Sequence, residues 1–516
     1  MNRIIGNRMR ARKRRLGRRL ARRQVVGGSG RRVLGRVNSH LDLADKTVAT
    51  SLGGAALAWK LVRKLKLAEE IDARVSVFRR HLPYHESDHV LNLAFNALCG
   101  GNCLDDLELR RQDEAYLNLL GAERVPDPTT AGDFCRRFQR PQLEALQAAI
   151  DAARVKLWQE QSPDFFAEAC IEADGTLVRT GSECKQGVDY SYKGDWGYHP
   201  LVMTLAGTGE VLRLINRSGN RPSHEGAAQQ FDQCIELCRS AGFRRILLRG
   251  DTDFSQTAHL DRWHEQGDVQ FVFGYDCSHK LHYLADELPE NAWKTLPRQP
   301  RYTVKTATRR KPPRRKQAII EQRQFRDLRL QGEALAEFAY QPDACSRAYR
   351  MIVVRKDLEV HEPKQARIFD DYRYFFYLTN DWNSTAEKLV ASANDRCQQE
   401  NYIAQLQSLR ALHAPVDTLL SNEAYMLSTS LAWNLKAWLA LSLPECKADG
   451  PQRNEQRSEK QRLLRMEFRT FLNYFIRLPA QVLTTDRRLV VRLLAWNQWQ
   501  PTFWRLAQAV EAPLRC

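Results

Sequence analysis

Two short apolar runs that each close on an aspartate constrain the fold of this chain more than any other feature. They are FFAEACIEAD, ending at Asp174, and RRILLRGD, ending at Asp251. Runs this short, rich in Ile, Leu, Phe and Ala and bounded by turn residues, read as strands. Between them, YHPLVMTLAGTGEVLRLINRS divides at Gly207 to Gly209 into two apolar halves, the pattern of a hairpin. A helical pattern then covers about Glu225 to Ala241 before the strand that closes on Asp251.

Three strands, a helix and a fourth strand is the order of a ribonuclease-H-like α/β core, which sets the ends of its first and fourth strands side by side. The rest of the chain is arranged around it. Residues 1–37 form a basic arm, and 38–162 read as a helical domain, with apolar spacings of three and four in AALAWKLVRKL, HVLNLAFNALCG and PQLEALQAAIDAARVKLW. Residues 163–267 form the first part of the catalytic core. Residues 268–379 read as a β-rich insertion containing VQFVFGY, RRKQAIIEQRQF, RAYRMIVVRK and YRYFFYLTN, broken by the basic patch RRKPPRRK. Residues 380–442 form the second part of the core, a long polar helix carrying Glu400, and 443–516 are mostly helical apart from possible strands in LPAQVLTT and RRLVVRLLAW.

With 516 residues, 43% of them hydrophobic, the chain is long enough for several packed domains. No stretch approaches the roughly 18 apolar residues of a membrane helix, and the charged N-terminus has no signal-peptide core. A soluble intracellular protein is expected. The 12 cysteines lack the density of a secreted disulfide framework. Cys99 with Cys103 and Cys234 with Cys238 have helical spacing but no further ligands nearby, so burial is the expectation. His81, His85 and His89 also repeat every four residues, but Pro83 breaks any helix that would align them.

The net charge of +18 is uneven, because residues 1–36 hold 14 Lys or Arg and no acid, leaving +4 for the rest. Such a run repels itself and is expected to be disordered when free, while its guanidinium groups suit phosphate. A tail without a specific role, or an upstream start with Met9 as an internal alternative, accounts for the run equally simply. In PDPTTAGDFCRRF, Thr129 or Thr130 is expected to cap a short helix presenting Arg136 and Arg137 to DNA or to solvent.

Asp174, Asp251 and Glu400 together suit one chemistry. Phosphodiester cleavage needs a nucleophilic water and a stabilised leaving oxygen, which two divalent ions about 3.5 to 4 Å apart supply. Hard cations take oxygen ligands, hence carboxylates rather than Cys or His. Glu172, Asp253 and Glu387 are local competitors, and strand alternation puts Glu172 on the same face as Asp174. Taken singly, Asp174 also suits a turn before Gly175, Asp251 a helix cap near Ser255, and Glu400 a solvated helix position.

In ANDRCQQENYIAQLQ the chain resembles the insertion-sequence DDE transposases whose third acid lies in a Tyr-x2-Arg-x3-Glu-x6-Lys signature. Arg396 and Glu400 occupy the Arg and Glu positions, whereas Ala393 stands for the Tyr and Gln407 for the Lys. GYHPLVMTLAGTGEVLRLINRSGN is similar to the family's Gly-Tyr-x-Pro-Leu run leading to an Arg-x-Gly-Asn turn. RGDTDF resembles its Arg-Ala-Asp-Ser-Gly-Phe motif, with Asp253 in place of a small residue. The resemblance selects Asp174 over Glu172. It implies catalysis and binding of two Mg²⁺ per site, with Mn²⁺ able to substitute, by Asp174, Asp251 and Glu400. It also implies double-stranded DNA as partner, both element ends and target, a homodimer or higher oligomer in the synapse, and a cytoplasmic, nucleoid-associated place in a prokaryotic cell.

Arg396, one helical turn before Glu400, either orients that acid, holds a phosphate, or makes a plain surface pair. Arg217 and Arg221, flanking Gly219 and Asn220, are candidates for gripping the DNA backbone. Trp196 and Trp382 are candidates for stacking on an unpaired base, or simply for packing. Two rivals stay open: a DNA-binding protein that kept the fold and lost catalysis, and a ribonuclease-H-fold nuclease without strand transfer.

Overall fold

The run closing on Asp174 forms β1 (Ala169–Gly175), and the run closing on Asp251 forms β2 (Ile246–Gly250). The computed structural model describes residues 3–25, 48–80, 83–297, 319, 322–323, 328–360, 371–446, 450–485 and 488–514. His81, residues 26–37 of the basic arm, the patch RRKPPRRK and most of the expected strand RRKQAIIEQRQF lie outside these. Among the described residues no helix is long and apolar enough to cross a membrane.

Contacts divide the chain into two compact units, one of Met1–Phe165, Gly175–Arg221 and Asn401–Cys516, the other of Phe166–Asp174 and Pro222–Glu400. The second unit is built on a mixed sheet. Besides β1 and β2 it contains β3 (Val269–Tyr275), β4 (Lys294–Thr295), β5 (Leu328–Tyr340), β6 (Tyr349–Val360) and β7 (Asp371–Thr379), in the order β4-β5-β6-β7-β3-β2-β1. β1, β2 and β3 run parallel, and β7, β6, β5 and β4 follow antiparallel. The strands of the expected β-rich insertion pair into this same sheet. VQFVFGY, apolar apart from Gln270 and buried on both faces, joins β2 in parallel, and the later strands extend the same sheet from it.

Register assigns the faces. Leu335 lies opposite Val354, Val354 opposite Phe375, and Ile352 opposite Tyr377. Together with Leu389 and Val390 of α2 (Ala386–Asp395) they form one apolar cluster, so α2 covers this face. The opposite face holds Phe271 and Phe273. There Phe231 of α1 (Ala227–Ala241), the helix expected over Glu225 to Ala241, packs edge-on against Phe273 and Trp263. β7 pairs with β3 only from Phe376 onward, so its residues Asp371–Phe375 continue past Tyr275, beside β6, at the end of the sheet where β2 delivers Asp251.

The first unit is mainly helical. Its helix Leu419–Leu441 is buried at every position from Ser421 on. Trp158 and Trp438 donate their indole N–H groups to the buried Glu210, which also pairs with Arg154. Leu201–Leu205 and Glu210–Ile215 pair as the expected hairpin. LPAQVLTT and RRLVVRLLAW supply the strands Ala480–Thr485 and Arg488–Leu493, which pair with each other, and Val48–Thr50 pairs with the first of them.

Two local expectations change. Arg3–Val25 is a helix rather than a structureless arm: Arg, Ala and Leu are strong helix formers, and Arg12 donates to the Leu493 carbonyl while Lys13 stacks over Trp496. In helix Pro128–Arg136 the cap is Asp127, which accepts from the Thr130 N–H at 2.9 Å, with Pro128 at the first helical position.

Candidate active site

Two positions on each of two neighbouring strands place four charged side chains on the α2 face. Glu172 of β1 lies opposite Arg249 of β2. Asp174 and Asp251 each follow two residues later, so alternation returns them to the same face, one step nearer the strand ends. Arg249 is consumed by Glu172 and by the helix above. Arg249 donates through Nε and Nη2 to Glu172 Oε1, and through Nη1 to the Ser392 carbonyl of α2 at 2.5 Å. Glu172 is fully buried and Arg249 nearly so. Burial pushes the Glu172 carboxyl above its ordinary range while Arg249 pulls it down.

Asp174 and Asp251 keep an open side, 17% and 36% exposed. Asp251 Oδ1 accepts from the Asp253 N–H at 3.1 Å, capping the tight turn Thr252–Phe254 rather than a helix at Ser255. A Cβ on Gly274 of β3 would fall 3.0 Å from the Thr252 nitrogen, so the turn lies directly on a strand without a side chain there.

The expected single helix around Glu400 is two, α2 and α3 (Cys397–Ser408), with Arg396 at the break. Its guanidinium faces all three acids: Nη1 is 3.5 Å from Asp174 Oδ2 and 3.8 Å from Asp251 Oδ2, and Nη2 is 3.3 Å from Glu400 Oε1. Burial pushes the Asp251 carboxyl up from the usual aspartate range, Arg396 pulls it down, and Asp253 and Glu400 push it up again. The donor set is all carboxylate, which suits a hard divalent cation. Among the described residues, though, no three such side chains are gathered closely enough to hold an ion, and the central cation is Arg396.

The family described as transposase DDE domain group 1 matches residues 44–513. The chain belongs to this DDE transposase family. It is similar to a piggyBac transposase, seen in a cryo-EM structure of the synaptic complex with hairpin DNA, at a TM-score of 0.33 and 12% identity, over 83% of this chain and 84% of that one. No curated protein matches. Membership in the DDE transposase family implies a metal-dependent enzyme of DNA transposition.

Elsewhere in this DDE transposase the residues expected to contact DNA have different surroundings. Arg217 is buried and donates through Nε to the His199 carbonyl at 2.9 Å. Gly219 lets this turn pack closely, since a Cβ there would come within 2.2 Å of the Asp189 carbonyl. Arg221 is exposed. Arg136 bridges Asp133 and Asp417 at 2.8 and 2.6 Å, and Arg137 lies over the Phe78 ring. Trp196 is half-buried, donating to the Ser182 carbonyl against Tyr190, whereas Trp382 is 54% exposed.

Gln407, at the family's lysine position, donates to Thr176 Oγ1 at 2.9 Å. Cys99, Cys234 and Cys238 are buried thiols, and Cys103 is partly exposed. His85 caps the helix Glu86–Leu98, and His89 stacks on Phe134, its pKa pushed down to about 4 by burial. Sequence reasoning missed the roles of Arg249 and Ser392. Arg249 was visible within RGDTDF, but its partner on another strand was not.

Proposed function

We propose that this protein is an insertion-sequence transposase that binds the terminal inverted repeats of its own element, cleaves strands there and joins the freed 3′-hydroxyl to target DNA. Its core would be ribonuclease-H-like. The observation that carries this reading is the approach of Asp174, Asp251 and Glu400 to one guanidinium from three separate segments of a DDE-family chain.

Asp174, Asp251 and Glu400 would hold two Mg²⁺ ions, which when bound supply an activated water and stabilise the leaving oxygen. Asp174 and Asp251, fixed on strand ends, set the position of the scissile phosphate, and Glu400 closes the cluster from α3. Exposed Arg221, Arg137, Trp382, residues 38–162 and the basic helix Arg3–Val25 would contact the DNA. The helix adds affinity that depends little on sequence. Both element ends must be held at once, so a homodimer is expected on DNA.

The test is a nicking assay with purified protein on duplexes carrying the inverted repeats that bracket its gene. Repeat-specific nicking with Mg²⁺ or Mn²⁺, lost in Asp174→Ala while repeat binding persists, is the expected result. Unchanged nicking removes Asp174 from the mechanism. Binding without any nicking by the native protein favours a catalytically inactive DNA-binding protein, and cutting that ignores the repeats favours a nuclease without strand transfer.

A further inference from the structure

We propose that Arg396 is a resident counter-ion, standing in for the divalent cation among the three acids and released when metal binds. The inference rests on reading Asp174, Asp251 and Glu400 as the metal ligands. Three observations carry it. The guanidinium lies within 4 Å of all three carboxylates and is itself only 18% exposed, so one cation is shared by all three acids. None of its contacts is as short as a committed charge-assisted pair of about 2.7 to 2.9 Å; at 3.3 to 3.8 Å it is shared among three acids rather than forked onto one. Arg249, the neighbouring guanidinium, behaves oppositely, held by both Glu172 and Ser392.

The side chain is free to leave by rotation about its own bonds, because none of its ion-pair contacts is shorter than 3.3 Å. A metal ion and a guanidinium cannot both occupy the centre of one small acid cluster. Once displaced, Arg396 is a free planar fork, suited to a DNA phosphate. Phosphate that captures it prevents its return, so metal and DNA each favour binding of the other.

The experiment titrates full-length protein with Mn²⁺ in the absence of DNA, following the electron-paramagnetic signal of free Mn²⁺, and repeats the titration with a short duplex. Arg396→Gln is expected to bind Mn²⁺ about tenfold more tightly than the native protein without DNA, and to lose the strengthening that DNA gives the native protein. Arg396→Lys, which keeps the charge without the fork, should fall between them and serves if the glutamine variant does not fold. Native binding that Asp251→Asn abolishes, but that Arg396→Gln leaves equal or weaker, overturns this inference alone. If Asp251→Asn leaves Mn²⁺ binding unchanged, or if neither the native protein nor Arg396→Gln binds Mn²⁺, the metal reading itself falls.

Discussion

Arg249 and Glu172 are register partners on adjacent parallel strands, and the arginine directs two of its N–H groups to one oxygen of that fully buried carboxylate. The pair holds Glu172 buried behind the open side that Asp174 and Asp251 keep, and ties β1, β2 and α2 together one step behind those two acids. Replacing Arg249 with Met leaves a buried acid without its counter-charge, which costs about 3 to 5 kcal/mol. Urea unfolding should show that loss, and Arg249→Met with Glu172→Met should recover most of it. A single variant as stable as the native protein would mean that the pair holds nothing in place.

Glu400 is 57% exposed, so its removal should cost activity and almost no stability. Glu400→Gln is expected to abolish metal-dependent nicking while changing unfolding free energy by less than about 0.5 kcal/mol. Glu387→Gln, in the first turn of α2, should nick like the native protein. Loss of nicking in the second variant and not the first would exchange the two acids' roles.

Arg217 and Arg221 stand four residues apart in sequence with opposite surroundings. Arg221→Ala should weaken DNA binding alike on all sequences and lower the salt slope by about one. Arg217→Ala instead removes a buried donor to the His199 carbonyl, at a cost of about 1 to 3 kcal/mol, readable by thermal unfolding. Equal effects of both variants on the salt slope would contradict this division.

Lys436 is buried, with its ammonium donating to the Leu464 carbonyl at 2.9 Å above the Trp433 ring, and burial pushes its pKa down to about 7. Below about pH 7 the lysine is charged whether folded or unfolded, so the full burial cost is present. Above it the folded chain releases the proton first, and this cost fades as pH rises toward the ordinary lysine range. Stability should therefore climb relative to Lys436→Met by up to about 1.4 kcal/mol per pH unit on the alkaline side of neutrality. Parallel stability curves for the two proteins would show that the amine stays protonated throughout.

Local chemistry made much of this legible. β1, β2 and the hairpin were readable because each apolar run stops at turn residues, and the three acids through the motifs around them. What escaped depended on partners distant in sequence. VQFVFGY has no alternation to reveal that it is an interior parallel strand, and Arg249 shows its purpose only once β1 is its neighbour. Arg217 looked like a surface turn residue because nothing local reports how closely Gly219 approaches the Asp189 carbonyl. Charge in Arg3–Val25 argued for disorder while the same residues favour a helix, and pattern alone did not rank the two effects.

The overhang of β7 beyond β3 has one more implication. Five residues, Asp371–Phe375, at about 3.4 Å each carry the ribbon roughly 17 Å past its neighbour, at the end of the sheet where β2 delivers Asp251. Side chains alternate along a strand, so shortening β6 and β7 by one residue would turn the distal ribbon inside out. Changes in pairs would preserve its two surfaces. Relatives able to cut should therefore differ in this ribbon by even steps, each adding or removing close to 7 Å of wall.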